Sequence, residues 1–180
     1  MKHLSNLLTF IRLLLVPVFP IAFFSSDPLG PFIALAVFVL AGFTDFLDGY
    51  IARRFHQITP LGTVLDPLAD KLMLLTVLLT LWHHGTLPLW ILLIIILKET
   101  FMIVTGAYLY FRKSKFIIPS NRYGKAATAL LFLAIPLRIL MPDNSLALII
   151  IFMALGLMFV ALLRYTQYYL NHREHNQEPD

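Results

Sequence analysis

Cysteine is missing from the 180-residue sequence, which excludes disulfides, thiolate metal sites and a cysteine nucleophile. Charge is scarce too: 13% of residues are Asp, Glu, Lys or Arg, against 59% hydrophobic. Soluble domains carry about a quarter charged and roughly 45–50% apolar residues, so this balance excludes an ordinary water-soluble fold. The first apolar stretch runs past Pro17 to Phe24 with no small-residue cleavage pattern. It is therefore expected to be a span and not a cleaved leader. The composition predicts an all-α integral membrane protein.

A span needs about 20 mostly apolar residues. Six stretches qualify, near 5–25, 31–53, 64–84, 88–111, 121–141 and 145–167. They are separated by turn chemistry such as Ser25-Ser26-Asp27-Pro28-Leu29-Gly30, His84-Gly85-Thr86 and Pro142-Asp143-Asn144. The first begins with Asn6, Thr9 and Arg12 on one face, which suits an N-terminal interfacial helix. Arg53, Arg54, Arg112, Lys113, Lys115, Arg122 and Lys125 flank the second and fourth connections, and the first and third carry no Lys or Arg. The positive-inside rule then puts both termini and the even connections in the cytoplasm, which six spans satisfy. No repeat or linker divides residues 1–180, so a single membrane domain with a polar cytoplasmic tail at 168–180 is expected.

Against this background, the acidic residues carry the information. Asp45, Asp48, Asp66, Asp70 and Glu99 fall within the expected spans, where an unpaired carboxylate costs about 2.5–3.5 kcal/mol on insertion scales. Four of them crowd into DFLDGYIARRFHQITPLGTVLDPLAD, residues 45–70. At 100° per residue, Asp45, Asp48, Gly49 and Ala52 share roughly 100° of arc on the second span. Gly62, Asp66, Ala69 and Asp70 share a similar arc on the third. Carboxylates interleaved with the smallest side chains leave room for a bulky ligand over the acids. An all-oxygen donor set suits Mg²⁺, Mn²⁺ or Ca²⁺ better than zinc, and four acids suffice for a two-metal phosphoryl-transfer site. Arg53 beside them suits a phosphate oxygen. Two other readings remain open from the residues alone: an architectural network with Arg53, Arg54 and Lys71, and an ion or proton pathway. His83 and His84 fall at the outer end of the third span, far from the aspartates, and His172 and His175 in the polar tail.

Asp45-x2-Asp48-Gly49-x2-Ala52-Arg53-x8-Gly62-x3-Asp66-x3-Asp70 resembles, position for position, the signature of the CDP-alcohol phosphotransferases. The resemblance includes the opening Asn6-x2-Thr9-x2-Arg12 and runs to about residue 130. It implies two divalent cations, Mg²⁺ or Mn²⁺, held by Asp45, Asp48, Asp66 and Asp70, with Asp70 also the general base. It further implies Asn6, Thr9, Gly49, Ala52, Arg53 and Gly62 around the CDP moiety, and a homodimer. Within the family, the stretch LSNLLTFIR and the signature region look most like phosphatidylglycerophosphate synthases. That implies transfer of a phosphatidyl group from CDP-diacylglycerol to glycerol 3-phosphate, releasing CMP, on the cytoplasmic face of a bacterial cell membrane.

A phosphorylated acceptor needs cations, and Arg112, Lys115, Arg122 and Lys125 are placed to supply them, Arg122 and Lys125 sharing a face of the fifth span. Two departures bear on the acceptor. Lys98-Glu99 stands where such synthases often carry Arg-Glu, and Gly124-Lys125-Ala126-Ala127-Thr128 lacks a second lysine and a later glutamine. Phosphatidylglycerol, as in the cardiolipin synthases, or an inositol or other polar alcohol are the alternative acceptors. Lys98 and Glu99 are expected to form a structural ion pair. A divalent-cation transporter is the rival of another class, but it leaves the small residues on the acidic faces unexplained. Intramembrane prenyltransferases, a rival enzyme class, place their acidic motifs on well-separated helices of a larger bundle.

Overall fold

The computed structural model describes residues 4–55, 60–111 and 121–175, and the side chains of 7–47, 65–104, 121–164, 166 and 167. All secondary structure among them is helical: α1 (Leu4–Phe23), α2 (Gly30–Phe55), α3 (Pro60–His83), α4 (Leu89–Phe111), α5 (Arg122–Leu140) and α6 (Ser145–His175). Each expected span has its helix. The second and third helices approach each other more closely in sequence than expected, because Pro60 opens α3. A missing N–H costs nothing in a first helical turn. α6 continues past the expected span to His175.

Among the described residues, Gly30–Leu47, Arg122–Leu140 and Ser145–Arg164 are long and apolar enough to cross a membrane, with Leu7–Phe23 a shorter apolar segment. Large side chains such as Ile21, Leu97, Val104 and Phe159 point outward. In water this surface would be an aggregation hazard; in lipid it is the expected exterior. The protein is an all-α integral membrane protein.

The chain forms two compact units, Met1–Glu99 and Thr100–Asp180. In the first, α1 packs on α2 and on α3. The face α1 buries is Thr9, Arg12, Phe19 and Phe23, polar at its beginning and aromatic at its end. It meets Ala34, Val37, Phe38 and Ala41 of α2, and Ala69, Met73, Val77 and Leu81 of α3 line the same core. Small residues between large ones let helix backbones approach closely where lipid supplies no hydrophobic drive. α1 and α3 run parallel: Thr9 meets Asp66 near their starts, and the Phe23 ring lies edge-on to His84, 5.1 Å away, at their ends.

The turns explain why the helices stop. Between α1 and α2, Asp27 accepts a hydrogen bond from the Leu29 amide at 2.8 Å, and Gly30 begins the next helix. A Cβ on Gly30 would stand 2.5 Å from Ser25 Oγ and 2.6 Å from the Ala22 carbonyl oxygen. After α3, Gly85 takes φ +81°, and the Thr86 amide donates back to the Leu81 carbonyl at 3.0 Å, a left-handed helix stop.

In the second unit α5 and α6 pack as a hairpin. Ala127, Leu131, Ala134 and Ile135 face Ala147, Ile151, Ala154 and Met158, again small beside large. Asn121 caps α5 by accepting from the Tyr123 amide at 3.0 Å, and its own amide donates to the Ala161 carbonyl at 3.2 Å. Arg138, buried near the end of α5, donates to the Asn144 carbonyl at 3.3 Å across the turn.

Candidate active site

One aspartate of the second helix, Asp45, and one of the third, Asp66, meet α1. Thr9 and Arg12, three residues apart, share one face of that helix. The Thr9 hydroxyl donates to Asp66 on α3, and Arg12 Nη1 lies 2.9 Å from Asp45 Oδ1 on α2. Thr9 is 0% exposed and Arg12 1%, whereas the Asp45 side chain is 50% exposed. The Asp45 carboxylate stands at the open rim of the helix cluster and Asp66 is half-buried, while Thr9 and Arg12, which meet them, lie in the interior. The polar opening of α1 therefore turns inward, toward the acids.

The Arg12–Asp45 contact is one of charge alone. The approach lies outside hydrogen-bond directions, and none of Nε, Nη1 and Nη2 of Arg12 makes a directed hydrogen bond.

Asp70 is exposed, one helical turn after Asp66. No hydrogen bond or ion pair among the described residues engages it. Lys71, next to it in the chain, pairs with Glu99 on α4, and Lys98 pairs with the other oxygen of the same carboxylate. The expected Lys98–Glu99 pair is thus present, with Lys71 as a third member. Glu99 lies on the buried stripe Ile91, Ile95, Glu99, so its charge needs a partner within the helix cluster. This arrangement draws Lys71 away from the architectural network with the aspartates and leaves Asp70 to the rim.

Asn6, Asp48, Gly49, Ala52, Arg53, Gly62, Arg112 and Lys115 lie outside the residues whose side chains are described. Among the described residues no three Asp, Glu or His come together to hold a metal. Asp45, Asp66 and Asp70 supply carboxylate oxygen only, a donor set that fits Mg²⁺ or Mn²⁺. In the second unit Arg122 and Lys125 are exposed in the first turn of α5. Beside them Arg164 of α6 stacks over the Tyr123 ring, 5.9 Å from its centroid. His83 packs against Phe24 at 5.4 Å and His84 against Phe23, at the end of α3 opposite the aspartates.

Three contacts were not legible from the motif: those of Thr9 with Asp66, of Arg12 with Asp45, and of Lys71 with Glu99. The spacing of Thr9 and Arg12 put them on one face of α1, and the seven residues from Arg12 to Phe19 put that face on its buried stripe.

Comparison with known proteins finds matches over most of the chain. The profile of the CDP-alcohol phosphatidyltransferase family matches residues 2–162. The chain is 34% identical over 144 residues to a CDP-diacylglycerol–glycerol-3-phosphate 3-phosphatidyltransferase of Rickettsia felis, covering 80% of this chain and 78% of the relative. It is 32% identical over 140 residues to the protein of the same name from Bacillus subtilis, covering 71% and 72%. It is 39% identical over 146 residues to a cardiolipin synthase (CMP-forming) of Streptomyces coelicolor, covering 79% and 66%.

Proposed function

The chain belongs to the CDP-alcohol phosphatidyltransferase family, and on that premise we propose that it transfers the phosphatidyl group of CDP-diacylglycerol to glycerol 3-phosphate. The products are phosphatidylglycerophosphate and CMP, which makes it a transferase of phospholipid biosynthesis. The observation that carries the reading is the convergence of Asp45 and Asp66, from the two halves of the signature, on Arg12 and Thr9 of one helix face. The names of the relatives favour the acceptor.

Asp45, Asp48, Asp66 and Asp70 are the residues to hold two divalent ions, which when bound neutralise the pyrophosphate. Thr9 and Arg12 fix the carboxylates of Asp66 and Asp45. Gly49, Ala52 and Gly62, with Asn6, leave space for the nucleotide, and Arg53 takes a phosphate oxygen. The acceptor hydroxyl attacks the lipid-side phosphorus: a P–O bond to the acceptor forms, the P–O bond to CMP breaks, and the hydroxyl proton passes to Asp70. Positioning and charge neutralisation supply most of the rate. Arg112, Lys115, Arg122 and Lys125 receive the acceptor phosphate. The reading takes residues 1–180 as one catalytic domain with six spans, both termini and the site at the cytoplasmic face of a bacterial cell membrane, working as a homodimer.

A second reading keeps the chemistry and changes the acceptor to phosphatidylglycerol. The Streptomyces coelicolor relative favours it, as do the departures at Lys98 and after Lys125. Purified protein in detergent, with CDP-diacylglycerol and Mg²⁺ or Mn²⁺, separates the two when acceptors are offered singly and CMP release is followed. Release with glycerol 3-phosphate alone is expected. Release with phosphatidylglycerol alone selects the second reading. No release with any acceptor, despite Mn²⁺ binding, returns the site to a cation carrier. Asp70→Asn should lower turnover at least about 10³-fold while CDP-diacylglycerol still binds.

A further inference from the structure

Among the described residues of the first unit, Arg12 is the most deeply buried charge. Its side chain is 1% exposed, it stands beside one carboxylate oxygen, and Nε, Nη1 and Nη2 are all without a directed hydrogen bond. A guanidinium offers five N–H donors in a rigid fork, and burying them unmet is costly. Architecture alone explains this poorly, because an arginine serving only to neutralise Asp45 would be expected to meet it with paired N–H···O bonds. Asp45 is half exposed and therefore open to the rim. Arg12 thus stands on the interior side of a carboxylate that is half exposed on its other side.

We infer that Arg12 is a ligand residue for the pyrophosphate of the CDP-linked donor, giving its unmet N–H groups to a phosphoryl oxygen above Asp45. The inference rests on the proposed function and adds a residue from outside the Asp-Asp signature. It has a consequence that a structural role lacks. Arg12 and a divalent ion are like charges competing for Asp45, so Arg12 opposes metal binding while the donor is absent. Once the pyrophosphate arrives, Arg12 exchanges a carboxylate for a phosphate oxygen, and the opposition becomes cooperation. Metal and donor affinities should therefore move in opposite directions when Arg12 is changed.

The test measures equilibrium binding to the purified full-length protein in detergent: Mn²⁺ alone by electron paramagnetic resonance, and CDP-diacylglycerol by calorimetry at fixed Mn²⁺. Arg12→Gln should weaken CDP-diacylglycerol binding by about 10- to 100-fold, the worth of a charge-assisted hydrogen bond, and tighten Mn²⁺ binding severalfold. Arg12→Lys keeps the charge and loses the fork; it should leave Mn²⁺ binding unchanged and weaken the donor by about tenfold. If Arg12→Gln does not fold, Arg12→Lys alone decides, and wild-type donor affinity there overturns the inference. Loss of both affinities by the same factor in either variant also overturns it and leaves Arg12 a structural counter-ion. Failure of the unmodified protein to bind CDP-diacylglycerol would overturn the proposed function itself.

Discussion

Lys71 of α3 forms its ion pair with Glu99 of α4, 28 positions away, and not with Asp70, the residue beside it. Because Lys98 shares the same buried carboxylate, one negative charge serves two positive ones. Glu99→Gln would leave two ammonium groups facing each other inside the helix cluster and should destabilise the protein by about 3–5 kcal/mol. Lys98→Met leaves Lys71 with its partner and should cost far less. Thermal unfolding in detergent reads the difference, and equal losses would show that the carboxylate is not the hub.

Thr9→Val keeps the shape of a buried residue and removes the hydroxyl that donates to Asp66. Loss of that bond to a carboxylate should cost about 1.5–3 kcal/mol of transition-state stabilisation, about 10- to 150-fold in kcat/KM, and raise the Mg²⁺ concentration for half-maximal rate. Thr9→Ser should restore most of it. A serine variant as poor as the valine would mean that the methyl packing, and not the hydroxyl, is what α1 contributes here.

Arg122 and Lys125 are exposed at the start of α5, so their removal should leave folding intact. If they receive the acceptor phosphate, alanine at either position should raise the KM for glycerol 3-phosphate about tenfold and leave the KM for CDP-diacylglycerol unchanged. Steady-state kinetics with each substrate varied in turn checks this. Parallel rises in both constants would point to general attraction of anionic lipid by a basic surface.

Gly30→Ala places a Cβ against a side-chain oxygen and a backbone carbonyl. The backbone carbonyl has no rotamer by which to move, so a loss of about 1–3 kcal/mol is expected. Adding Ser25→Ala should not restore stability, because the 2.6 Å approach to Ala22 remains. Full rescue by that second change would place the conflict at the serine alone.

The six helices were legible because apolar runs and Gly, Pro, Asn and Asp breaks alternate cleanly along the chain. Their ends were less so. Pro60 marked a helix start within what looked like a nine-residue connection, and α6 ran on into a polar tail, since helical hydrogen bonding does not require apolar side chains. The carboxylates announced themselves by rarity and spacing, whereas the groups that hold them did not. Thr9 and Arg12 could be put on one face from their spacing, but which acid each meets depends on how α1 lies between α2 and α3. That is a property of packing with no local code. Glu99 was likewise assigned to Lys98 by adjacency, and Lys71 entered only through the contact of one helix with another.

The tight turn at Gly30 lies at the far end of the helices from the site it governs. Asp45 stands 15 residues further along α2, roughly 22 Å at 1.5 Å per residue. A helix pivoting about that turn acts as a lever, and each degree of splay displaces Asp45 by roughly 0.4 Å. About three degrees would suffice to carry an oxygen now 2.9 Å from Arg12 past the roughly 4 Å limit of an ion pair. The position of Asp45 is thus set from the opposite end of α2, where a single missing methyl group fixes the angle.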